Sequence, residues 1–169
     1  MVYIIGTLLR KAQEKYEQVK EAKDVDDMWK TLMLTPLDYG RNALLNDSTK
    51  SIMEKIEFEH GGLEYDSKYP EGIPTSVEIK TKSGKTFDSG LVMFPGGHAR
   101  NETVSLNEIL KHKFKVLGKL ALEKNEMIRM KIQLDNIGDL NNEELLDIYD
   151  CNIKFADESI DDLSSSSKK

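Results

Sequence analysis

The sequence predicts an α+β fold: a small antiparallel sheet built on one β-hairpin, with helices flanking it at both ends. Three observations predict it. Val77, Ile79 and Thr81 alternate with Glu78, Lys80 and Lys82, and Ser83-Gly84 makes a tight turn into a return strand reaching Leu91, Val92, Met93 and Phe94. This spacing predicts a hairpin with one covered face. Upstream, Val2, Ile5, Leu8, Leu9, Ala12, Tyr16 and Val19 recur at three- and four-residue steps, which predicts an amphipathic helix. Downstream, Ser105-Leu-Asn-Glu108 has the pattern of a capping box, and Leu106, Ile109, Leu110, Phe114, Leu117 and Leu120 form the apolar stripe of a second helix.

The remaining elements follow in order. On the first helix the Lys and Glu run from 10 to 23 is expected to face water, and KDVDD to be a charged link. Thr35 is the expected N-cap of the next helix, with Pro36 at its first position and Asp38 near the positive end of its dipole. A short helix then carries Ile52, Met53 and Ile56 into an extended IEFEH, which Gly61-Gly62 ends. Beyond the hairpin and the Ser105 helix, a helix runs through Met127, Met130, Leu134 and Ile137, and Asn141 opens a short one carrying Leu145, Leu146 and Tyr149. Residues 1–156 form one domain. The tail 157–169, ending in SSSSKK, has little to bury and is expected to be disordered.

Composition narrows the function classes. The 169 residues carry a net charge of -6, so the chain lacks the basic field behind most nucleic-acid affinity. No apolar run approaches the roughly 20 residues of a membrane span. The N-terminus has neither the basic region nor the small-residue cleavage site of a signal peptide. A single cysteine, Cys151, cannot form an internal disulfide, and no Cys/His cluster has zinc-ligand spacing. The expectation is an intracellular protein, of cytoplasm or mitochondrial matrix, with no metal, nucleic-acid or membrane partner.

Chemistry concentrates in the corner FPGGHARN, residues 94–101. There His98 could serve as acid or base, and Arg100 could hold a carboxylate in bidentate fashion. The competing reading is a plain strand-to-helix turn in which glycines supply positive φ. His60 is a weaker candidate, and His112, flanked by Lys111 and Lys113, is expected on a solvated helix face. Tyr69-Pro70 and Tyr65 are open to a packing role.

Four blocks in register, VYIIGTLLRKA, LTPLDYG, IMEKIEFEHGGLEYDSKYPEGIPTSVEIKTKSGKTF and FPGGHARN followed by SLNEILKHKF, together resemble the C-terminal part of the MmgE/PrpD family, the 2-methylcitrate dehydratase-like lyases. The resemblance covers the chain up to about residue 150. It implies the small α+β lid of a two-domain enzyme that eliminates water from a tricarboxylate without a metal, iron-sulfur cluster or other cofactor. Family chains are longer, and the helical domain carrying most of their catalytic groups precedes the matched region. On this resemblance the chain is a fragment or the small half of a split enzyme, inactive by itself. His98 and Tyr3 are then the catalytic candidates, and Arg100 and Tyr69 the substrate-binding ones. The alternative is a non-catalytic interaction protein or remnant that keeps the lid fold. Either way, Ile5, Leu8, Leu9 and Ala12 of the first helix are expected to leave an apolar patch for a protein partner or self-association.

Overall fold

In α1 (Val2–Glu14) the tightest packing is not made by the apolar stripe. Here Gly6 lets the helix backbone meet α5 (Asp47–Met53): a Cβ at that position would stand 2.8 Å from Met53 Cγ and 3.3 Å from the Thr49 carbonyl. Thr7 and Thr49 are fully buried at this crossing. The buried face is therefore Tyr3, Gly6, Thr7, Arg10 and Lys11, turned away from the apolar stripe. Ile5, Leu9 and Ala12 are half-buried, whereas Leu8 and its neighbour Ile4 reach solvent. A computed structural model of the chain describes residues 1–155 and Ser159. Apart from Ser159, the tail expected over 157–169 lies outside the described residues.

Three expectations for the first third of the chain are corrected. Arg10 and Lys11, placed on a solvated face, keep only 12% and 14% of their side-chain surface exposed. They turn inward because Asp38 is buried beside them, and an unpaired buried carboxylate would be costly. The charged link is in fact α3 (Val25–Leu32), preceded by α2 (Tyr16–Lys20). Asp24 caps α3 by accepting the Asp27 N–H at 2.8 Å, and Asp26 and Asp27 suit the positive end of its dipole. The helix expected from Thr35 is split at Gly40 into a 3-10 turn, Pro36–Tyr39, and α4 (Arg41–Leu44). Past Gly61, α6 (Gly62–Lys68) forms where no helix was expected.

The hairpin is antiparallel, as its alternation requires, but shorter. β1 (Glu78–Lys80) pairs with β2 (Thr86–Asp88) in the register Glu78–Asp88, Ile79–Phe87, Lys80–Thr86. The ladder then loosens: the Ser89 N–H still donates to Val77 O, but the Val77 N–H turns to the Ser89 hydroxyl, and a two-way backbone pair returns only at the Thr75–Val92 bridge. Its expected covered face is not covered. Ile79 is 40% and Phe87 50% exposed, because the helices pack chiefly on one another and two strands cannot enclose a core.

The C-terminal unit comprises α7 (Leu106–Ala121), α8 (Lys124–Asp135) and α9 (Asn142–Asp147). Only half of the expected Ser105 box forms. The Ser105 hydroxyl accepts the Glu108 N–H at 3.3 Å, but the Ser105 N–H donates to Asp26 and the Glu108 carboxylate takes Lys30 at 3.1 Å. Those substitutions tie α7 to α3, and the Lys30 hydrogen bond holds the Glu108 carboxyl below its ordinary range. Asn141 and Glu144 make a complete box for α9. Leu122, Met130 and Ile148 form the buried cluster, with Phe114, Met127 and Leu134 packed around it.

That core is thin for the chain's size. Total exposed surface is 12,870 Å2, against roughly 8,400 Å2 for a compact monomer of this mass. Even at the roughly 160 Å2 per residue of a fully unfolded chain, the thirteen residues outside the description would account for less than half of the excess.

His112 is half-buried rather than solvated. Burial, with Lys30 and Lys115 nearby, pushes its pKa below the ordinary value. The unfolded state therefore binds the proton more readily, and stability falls as pH drops below about 6.5 toward the lower folded value. His112→Gln is expected to flatten this part of the profile, measured as urea midpoints between pH 7.5 and 5.

Candidate functional site

The 94–101 corner is held by its own short-range bonds. The His98 N–H donates to Pro95 O at 3.0 Å and the Asn101 N–H to His98 O at 2.9 Å. Gly97 has φ +95°, a conformation that a side chain would strain. Asn101 staples the turn at both ends: its Nδ2 donates to Phe94 O, and its Oδ1 accepts from the Thr103 and Val104 N–H groups. Its signal in the sequence was an Asn two residues before a Thr, the pattern of an Asx turn.

On this rigid turn the two candidate groups stand side by side. The His98 ring stacks on Phe94 at 4.8 Å, and the Arg100 guanidinium lies 5.5 Å over the same ring. The Arg100 N–H donates to His98 Nδ1 at 3.1 Å, so a neutral imidazole carries its proton on Nε2. Arg100 also pairs with Glu71 at 3.2 Å, which brings the segment after Tyr69 against the corner. Tyr69 itself is half exposed and stacks on Tyr65 at 5.9 Å beside the cis Tyr69-Pro70 peptide. Glu71 was not among the candidates read from the sequence.

Tyr3 belongs elsewhere. Its hydroxyl donates to the Asp38 carbonyl and its ring lies 6.2 Å from that of Tyr39. Around it, Lys11 donates to Asp38 Oδ2 at 2.8 Å and to Met33 O, and Arg10 donates to Thr49 Oγ1. Burial would raise the Asp38 pKa, but the hydrogen bonds from Lys11 and the Thr35 N–H outweigh it and hold the carboxyl below its ordinary range. This is a buried, saturated network. His60, exposed, bridges the Gly62 N–H and Asp66. Among the described residues no group of three or more His, Cys, Asp or Glu is placed to hold a metal ion, and no helix is long and apolar enough to cross a membrane.

No family model, curated protein or solved structure matches this chain.

The corner can donate a hydrogen bond and hold an anion. With Nδ1 engaged, the His98 Nε2–H points a donor outward. The Arg100–Glu71 pair is 61% and 73% exposed and so worth little, which leaves the guanidinium open to exchange Glu71 for an incoming carboxylate. Both groups face solvent with no opposing wall.

Proposed function

We propose that this chain is the small, lid-type α+β half of a 2-methylcitrate dehydratase-like lyase, which removes water from a tricarboxylate once a helical half joins it. The corner is the observation that supports this reading: an imidazole and a guanidinium fixed on one turn, aimed at solvent, in a protein with surface to spare. In the assembled site the His98 Nε2–H hydrogen-bonds the departing hydroxyl, Arg100 takes a substrate carboxylate, and Tyr69 lines the approach. The base that removes the substrate proton and the acid that protonates the departing hydroxyl come from the other half. No metal or other cofactor takes part in this reading, and its setting is the cytoplasm or mitochondrial matrix. Elimination needs both groups held around one substrate with water excluded, each worth about 10²- to 10⁴-fold in rate. The purified chain alone is therefore expected to show no dehydration of 2-methylcitrate, and turnover is expected on co-expression with the helical half of such an enzyme. Turnover by the isolated chain would sink the proposal.

A second reading, a non-catalytic interaction protein that keeps the lid fold, draws on the excess exposed surface. In that case mutation of His98 and Arg100 leaves partner binding intact.

A further inference from the structure

In the C-terminal unit a groove of about 540 Å3 opens between α7 and α8. Leu110, Phe114 and Leu117 line it from α7, at helical spacing, and Leu134 faces them from α8. Its rim carries Lys111 and Lys113 on the α7 side and Lys131 on the α8 side, against one carboxylate, Asp135, which pairs with Lys131, while Lys111 pairs with Glu108. Lys113 has no ion-pair partner among the described residues, and residues 106–135 carry seven Lys and Arg against four Asp and Glu in a chain of net charge -6.

The chain also carries the complement of this groove. Residues 139–150 hold five acidic residues and no Lys or Arg. Of these, Glu144 closes the Asn141 cap and Asp147 pairs with Arg129, whereas Asp139, Glu143 and Asp150 make no ion pair among the described residues. In their midst Leu146 is 78% and Tyr149 74% exposed, three residues apart, while Ile148 between them anchors the segment in the core. An apolar pair among carboxylates thus stands on the same unit as an apolar groove whose lining carries three lysines against one aspartate.

We propose that the α7–α8 groove receives Leu146 and Tyr149 of a second copy of this chain, forming a two-fold dimer in which each copy fills the other's groove. Self-complementarity favours this occupant: a two-fold axis makes the same contact twice, and opposite charge fixes the register. The apolar contact supplies the attraction, in the manner of a helix laid into a groove. The surface lies apart from the corner and from the α1 face, and the inference does not rest on the lyase reading.

Sedimentation velocity on the full chain, at concentrations up to about 100 μM where micromolar association is resolved, tests it. The wild type is expected to dimerise at low salt and to loosen toward roughly 0.5 M, as its charged rim is screened. Lys113→Glu with Lys131→Glu should weaken the dimer tenfold or more, and so should Leu146→Ser with Tyr149→Ser, whose exposed side chains contribute little to the fold. A chain carrying Asp139→Lys and Glu143→Lys should pair with the Lys113→Glu, Lys131→Glu chain in a mixture, though each is impaired alone. A monomeric wild type, an unchanged dissociation constant in the folded Leu146, Tyr149 variant, or reversed chains that fail to pair would each overturn the proposal.

Discussion

Replacing Asp38 by alanine is expected to remove about 4 kcal/mol of folding stability, the range for breaking a buried ion pair. The side chain is buried and ties α1, through Lys11 and through Arg10 at 3.9 Å, to the Thr35 N–H and hydroxyl. Its loss leaves the Lys11 ammonium in a poorly hydrated place, and Arg10, which still bonds Thr49 and Glu14, is less affected. Asp38→Ala combined with Lys11→Met should therefore recover part of the loss, because the stranded charge goes with its partner. The stability that Asp38 contributes is present above its unfolded pKa of about 4 and is lost as pH falls through the depressed folded value. Urea unfolding at pH 7 and pH 3 reads both effects: the variant should differ from wild type strongly at the first and weakly at the second. An unchanged midpoint at pH 7 would mean that the network is ornamental.

Ile148→Ala is the second large effect. This residue is 1% exposed and packs with Leu122 and Met130, so truncation should cost about 3 kcal/mol from lost burial and the cavity left behind. For a chain of this length that corresponds to roughly 6–12 °C in Tm. Ile148 also holds the acidic stretch 139–150 in position, so the variant should lose dimer as well as stability. Thermal unfolding followed by circular dichroism checks the first result. A shift under about 2 °C would show that the C-terminal cluster is not a cooperative core.

Periodic, local features were legible in the sequence: the hairpin turn, the Ser105 helix and the short helix after Asn141 lie where their spacing puts them, and so does the first helix up to Lys15, where it breaks into α1 and α2. What was not legible depended on partners distant in the chain. Arg10 and Lys11 read as a solvated face because nothing local reveals that Asp38, 27 residues past Lys11, is buried against them. The Ser105 box is half-made because Asp26 and Lys30 compete for its groups from a helix that had itself been read as a link. Val77, Ile79 and Phe87 alternate as a covered strand does, yet covering them takes an element that does not pack there. Of the candidate site, His98, Arg100 and the Tyr69 segment were found from residue type and loop chemistry and do come together. Tyr3, also a candidate, lies in the Asp38 network instead, and Glu71 carried no local signal.

The central claim is that this chain completes a lyase by contributing the His98–Arg100 corner. Its most direct test is the initial rate of 2-methylcitrate dehydration by the chain assembled with a helical half, for wild type and for His98→Ala, with the amount of assembled complex measured in parallel. The account predicts turnover for the wild-type assembly only, and a kcat lower by about 10²- to 10⁴-fold in a His98→Ala complex that assembles equally well. Equal rates for the two assemblies, or no turnover from a correctly formed wild-type complex, would contradict it.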